Sequence, residues 1–132
     1  NENTRVQQKP NGTGFLRLIK AGNCSFMGFK AAFVNESAFR QELLLCSILF
    51  PFSFVIASTL SEWVMLTCSL LFLLFSEIVN SAIEALADRI SLEHHELLGR
   101  AKDLGSAGVF IAIIITTIIW VSVVYSYISH RY

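Results

Sequence analysis

The sequence predicts an all-α membrane protein with three transmembrane helices and an amphipathic surface helix ahead of them. Three observations lead there. Hydrophobic residues fill 54% of the 132 positions and the mean hydropathy is +0.58, more apolar than a soluble globule usually is. Charge is absent from three stretches, Leu43–Ser61, Trp63–Ser76 and positions 104–129. Residues 14–35 set Phe15, Leu18, Ile19, Phe26, Phe29 and Phe33 at helical spacing, with Arg17, Lys20 and Lys30 on the other side.

Residues 1–13 are polar, contain Pro10 and Gly12, and lack the apolar core of a signal peptide. They read as a mobile leader without a cleavable signal, ahead of a single membrane domain over 14–132. The helix over 14–35 is expected to lie on the cytoplasmic leaflet, with a break near Gly22 and Asn23. A soluble core helix is the competing reading, but the chain offers little soluble matter to cover it. The first span, about 40–61, holds the 19 uncharged residues between Glu42 and Glu62, about the thickness of the hydrocarbon layer. Pro51 is expected to bend this helix near Phe50 without ending it, because no water is there to unravel it. The 14 uncharged residues from Trp63 to Ser76 are too few to cross alone. The second span, about 63–92, must therefore take in the following EIVNSAIEALAD. The third, about 103–128, has small residues (GSAG) at its start for close helix packing. Trp120, Tyr125 and Tyr127 lie toward its exit.

Lysine and arginine set the orientation. Six precede the first span, none separates the first two, Arg89, Arg100 and Lys102 lie between the second and third, and only Arg131 follows. The positive-inside rule then places the amino end and the 89–103 loop in the cytoplasm and the carboxyl end outside. Net charge is zero, so no global field recruits nucleic acid. The three cysteines, Cys24, Cys46 and Cys68, have no metal or redox spacing and read as small apolar packers.

The second span carries Glu77, Asn80, Glu84 and Asp88, whose spacings of three, four and four keep them on one helical face. Ionisable groups at membrane depth are costly and by default serve a site. Two carboxylates from neighbouring helices, Glu36 and Glu84, could hold a hard cation such as Mg2+, which takes few protein ligands and leaves the rest to water and phosphate. Lys102 suits phosphates as a point charge, and Asp103 follows it, with Ser106 one turn beyond. Glu77, deeper and partly withdrawn from water, is the better base for a hydroxyl presented from within the bilayer. Asn80 could orient that carboxylate or the substrate. The same residues could instead form a hydrogen-bonded network that glues helices together. No GxxxxGK[ST], HRD or DFG motif of the soluble kinases occurs.

EIVNSAIEALADRISLEHHELLGRAKDLGSAG resembles the signature of the small integral-membrane diacylglycerol kinases of bacteria, approximately E-x-x-N-[ST]-A-I-E-x-x-x-D followed by A-K-D and small residues. GFLRLIKAGNCSFMGFKAAFVNESAFRQE is similar to the same family's surface helix and its approach to the first span. The likeness covers the chain from about Gly14 to beyond Trp120. It implies a homotrimeric helical bundle in the bacterial inner membrane that phosphorylates 1,2-diacylglycerol to phosphatidate with MgATP at the cytoplasmic interface, each site shared between chains. The carboxyl end would then be periplasmic. It further implies that Glu77 is the base and that Glu36 and Glu84 bind the metal. Arg17, Glu93, His95, Lys102 and Asp103 would contact the nucleotide, and Asn80, Gln41, Glu42 and Ser106 would line the catalytic centre or lipid site. Arg17 and Ser25 would join them on the lipid-substrate side. The chain departs from the family at Phe26 and Phe33, where Trp is frequent, at Met27 for Lys, at Cys24 for an aromatic and at His94 for Tyr. Undecaprenol is the alternative acceptor within the same fold. An oligomeric membrane protein without catalysis, whose acids form an ion path, is the alternative of another class.

Overall fold

The computed structural model describes residues 13–91 and 95–131. Four helices follow in order, α1 (Phe15–Asn35), α2 (Ser37–Ile56), α3 (Leu60–Ile90) and α4 (Glu96–Arg131), and no strand occurs among the described residues. The last three are long and apolar enough to cross a membrane. At 1.5 Å per residue the 20 residues of α2 extend about 30 Å, one hydrocarbon thickness. The 31 of α3 and 36 of α4 exceed it and must project beyond.

α1 runs unbroken through Gly22 and Asn23. One helical glycine costs about 1 kcal/mol relative to alanine, too little to end a helix with good formers on both sides and no proline. α1 meets α2 at Glu36, whose extended backbone (φ −114°, ψ 107°) is the only non-helical residue between them. Arg40 fixes this corner: its guanidinium donates to the carbonyl of Phe33 at 2.8 Å and of Val34 at 3.1 Å, capping the otherwise orphaned end of α1. Pro51 is accommodated within a continuous α2.

The α2–α3 connection is three residues long and closed by a capping arrangement. Thr59 is the N-cap of α3, and its hydroxyl accepts from the Glu62 amide at 3.2 Å, while the Glu62 carboxylate reaches back to the Ser58 amide at 2.7 Å. This gives Glu62, the one acid expected on the far side of the membrane, a local structural task. Phe50, Phe54 and Trp63 pack edge-on or tilted against one another across the same hairpin with ring centroids 5.2 to 6.4 Å apart.

α3 is the central element, packed against α2 on one side and more extensively against α4 on the other. The core joins Cys46 and Ile56 of α2, Leu66, Leu70 and Leu73 of α3, and Ala112, Trp120 and Val123 of α4. Within it Ser69 ties α3 to α4: its hydroxyl accepts from Trp120 Nε1 at 3.0 Å, and its carbonyl accepts from the Thr116 hydroxyl at 3.2 Å. Cys46 is a buried packer, as expected, whereas Cys24 and Cys68 are exposed. The exposed apolar residues of α2, α3 and α4, among them Leu44, Phe52, Leu71, Phe75 and Ile118, form the surface that a bilayer or neighbouring chains would cover.

Ser69→Ala leaves the indole in place and removes the hydroxyl that accepts from it. It is expected to lower stability by about 1 kcal/mol, read as a reduced thermal midpoint in detergent micelles; an unchanged midpoint would mean that the Ser69 contact is energetically idle.

Candidate functional site

The second-span stripe lies where α3 leaves the apolar layer. Glu77 is 17 residues from Leu60, about 26 Å along the helix, and Glu84 and Asp88 lie about two and three turns beyond it. Were α3 to start at one face of a hydrocarbon layer about 30 Å thick and run along its normal, Glu77 would fall just inside the opposite face and the later acids beyond it. Despite its charge-bearing side chain Glu77 is only 6% exposed, and Asn80 and Ser81 are buried beside it.

Asn80 connects the stripe. Its Nδ2 donates to Glu84 Oε1 at 3.3 Å. Its Oδ1 is buried without a hydrogen-bond partner and lies against α4 at Gly105, where a Cβ would stand 2.5 Å from that oxygen and 3.4 Å from Ile83 Cδ1. Any side chain at Gly105 would push Asn80 off Glu84. This is why a small residue is needed at the start of the apolar part of α4, a more local reason than general close packing.

Two further acids approach from the α1–α2 side. Glu36, at the corner, and Glu84 are within electrostatic range of Glu77, and so is Glu42 of α2. Among the described residues the ion pairs are Arg100–Glu96 at 3.6 Å and Lys102–Asp88 at 2.6 Å. Neither involves Glu77, so among the described residues the buried carboxylate faces like charge and has no ion-pair partner. Such an arrangement is expensive unless a cation, a proton or a substrate group completes it.

No group of three or more His, Cys, Asp or Glu side chains converges as a metal cage among the described residues. The donors available, Glu36 and Glu84 around Glu77, are hard oxygens in an open set. That chemistry fits magnesium, which retains water or phosphate in most of its positions. Beside the acids, Glu42 borders an apolar groove of about 360 Å3 walled by Leu45, Leu49, Leu73 and Trp120. Glu42 Oε2 is buried there without a hydrogen-bond partner. A greasy channel with a carboxylate at its border suits a molecule with a long apolar tail and a polar head.

The remaining candidates are distributed differently. Lys102 and Asp103 lie about two turns inside α4, which begins at Glu96. Lys102 is half-buried on Asp88; Asp103, Ser106 and Gln41 are exposed. Arg17 lines a shallow cleft on α1 with Lys20, Ala21 and Cys24, and α1 packs chiefly on α2. Ser25 donates to Ala21 O at 3.0 Å within the same helix. His95 is exposed just ahead of α4, its carbonyl accepting from the Gly99 amide. Glu93 and His94 lie outside the described residues. The chain thus gathers Glu36, Glu42, Glu77, Asn80 and Glu84 in one neighbourhood. Sequence reasoning had Gly105 only as one of the small residues of GSAG, without its contact to Asn80, and overlooked the Lys102–Asp88 pair, at which only the 3-4-4 spacing of the stripe hinted.

These features define a polytopic helical membrane protein with an acid-rich centre at one end of its central helix. The chain belongs to the prokaryotic diacylglycerol kinase family, whose sequence profile matches residues 23–124. It is 48% identical over 120 residues to the diacylglycerol kinase of Escherichia coli K12, covering 89% of this chain and 96% of that protein. It is 47% identical over 108 residues to the diacylglycerol kinase of Haemophilus influenzae, covering 82% and 92%. The diacylglycerol kinase of Pseudomonas aeruginosa is 42% identical over 111 residues, covering 84% and 90%.

Gly105→Ala is expected to destabilise the protein by about 1–3 kcal/mol through overpacking against Asn80. Gly28→Ala, with nothing within 4 Å of the added methyl, should be neutral or stabilising by up to about 1 kcal/mol. Parallel thermal unfolding of the two variants checks this, and equal effects would contradict the Gly105–Asn80 contact.

Proposed function

We propose that the chain is a lipid kinase that transfers the γ-phosphoryl group of ATP to the hydroxyl of 1,2-diacylglycerol at the cytoplasmic face of a bacterial inner membrane, forming phosphatidate. The observation that carries this reading is the buried Glu77, without an ion pair among the described residues, beside the Asn80–Glu84 hydrogen bond and flanked by Glu36 and Glu42. The names of the relatives supply the acceptor class.

In this mechanism the acyl chains stay in the apolar layer and the free hydroxyl is presented to Glu77, which accepts its proton as the oxygen attacks the γ-phosphorus and the bond from that phosphorus to the β–γ bridging oxygen breaks, releasing ADP. Asn80 holds Glu84 in place. Glu36 and Glu84 would carry magnesium, which when bound neutralises charge on the phosphates. Lys102 would add a positive charge beside them, with Arg17, His95, Glu93 and Asp103 on the nucleotide and Ser25, Gln41, Glu42 and Ser106 on the lipid side. Much of the rate comes from confinement: a membrane-dissolved alcohol and a docked nucleotide meet at one interface in a fixed orientation.

The working form is proposed to be a homotrimer whose sites are shared between neighbouring chains. Supporting this, Arg17 lies on a helix that packs chiefly on α2, and Glu77 has no countercharge among the described residues of its own chain. The bias of lysine and arginine supports an amino end and site in the cytoplasm and a carboxyl end in the periplasm.

With radiolabelled ATP and Mg2+ in mixed micelles, the wild type should label diacylglycerol in preference to undecaprenol, and Glu77→Gln should reduce the rate by about 10²–10⁴-fold. Preferential labelling of undecaprenol would reassign the acceptor, and an unimpaired Glu77→Gln variant would remove Glu77 from catalysis. Mixing inactive Glu77→Gln chains with Arg17→Ala chains, altered on the surface helix α1 and not on α3, should restore part of the activity. No recovery in verified mixed oligomers would place each site within one chain.

A further inference from the structure

Asp88 is the member of the α3 stripe to which the mechanism above gives no task. It occupies the same helical face as Glu77, Asn80 and Glu84, yet it is exposed and more than a turn beyond Glu84. Its carboxylate does one thing in the structure: Oδ1 accepts from Lys102 Nζ at 2.6 Å, a contact between α3 and α4 across 14 residues of sequence. The two side chains are 51% and 43% exposed. A pair so open to water contributes little to stability, so helix stapling does not account for it.

The location of Lys102 supplies a better account. Its ammonium is also within electrostatic range of Glu84, so Asp88 holds it next to the carboxylate at the end of the Asn80 hydrogen bond. A lysine side chain has four rotatable bonds and no preferred direction of its own. Anchored at Asp88, it is restricted to the side of α4 that faces the acid stripe.

We propose that Asp88 is a positioning residue, which holds Lys102 at the border of the acid stripe so that an arriving polyphosphate meets an oriented ammonium. This rests on the reading of Lys102 as a phosphate contact. Asp88 itself touches no substrate. When phosphate oxygens arrive, the ammonium has three hydrogens to share, so it can engage them while keeping Asp88. The ordering cost of the lysine is then met before the nucleotide binds.

The test uses the full-length protein in mixed micelles, with ATP and diacylglycerol varied separately. Asp88→Asn is expected to raise the KM for ATP by about tenfold, in the range that a misplaced contact costs, with the KM for diacylglycerol and the thermal midpoint unchanged. Asp88→Glu, which keeps the charge on a longer arm, should recover part of the loss. The exchanged pair Asp88→Lys with Lys102→Asp separates positioning from stapling: it rebuilds the ion pair but should leave activity low. Asp88→Asn with wild-type KM for ATP would overturn the proposal, as would full activity of the exchanged pair. Lys102→Ala serves as the control on the parent reading, because a wild-type KM for ATP in that variant would remove Lys102 from the nucleotide site whatever Asp88 does.

Discussion

Placing a carboxylate on a helix that must also be apolar enough to enter a bilayer is the constraint that shapes this molecule. Glu77 is withdrawn from water, and among the described residues no ion pair involves it. Left alone, such a group costs several kcal/mol. The surrounding structure limits that cost by placing Glu77 where α3 emerges and by giving the neighbouring Glu84 a donor in Asn80. What remains uncompensated is the capacity to take up a proton or to meet positively charged material, which is what a phosphotransferase centre requires.

The rest of the fold serves this placement. The lower half of α3 is fixed by ordinary apolar packing and by the Ser69–Thr116–Trp120 contacts to α4. The capped hairpin at Thr59 and Glu62 sets where α3 begins, and therefore how far along it the layer ends. At the other end Arg40 holds the α1–α2 corner and so keeps Glu36 near the stripe. Gly105 lets α4 approach closely enough for Asn80 to be confined.

The transmembrane character was legible because charge is absent from stretches of bilayer length, and the acid stripe because its spacing matches a helical face. Both are periodic properties that no tertiary contact has to reveal. The partner of Lys102 was not legible, since it depends on α4 beginning at Glu96, seven positions before the expected start of the span, which brings Lys102 into register with Asp88. The expected break at Gly22 failed because a single glycine is a weak helix breaker, and Gly14, ahead of the helix, is the residue with positive φ among those described. The packing role expected of all three cysteines holds for Cys46 alone, because apolar surroundings in sequence do not distinguish a lipid-facing position from a core one.

The central claim is that the acids of α3 and the α1–α2 corner form the place where a divalent cation and a nucleotide meet the lipid. Manganese can stand in for magnesium and broadens the NMR signals of nearby nuclei, so the decisive measurement is site-resolved NMR of the isotopically labelled protein in lipid bicelles with manganese and a non-hydrolysable ATP analogue. The account predicts strong, nucleotide-dependent broadening at Glu36, Glu77, Asn80 and Glu84, and none at Thr59, Glu62 and Trp63 at the opposite end of α3. Broadening elsewhere, with those four signals intact, would contradict it.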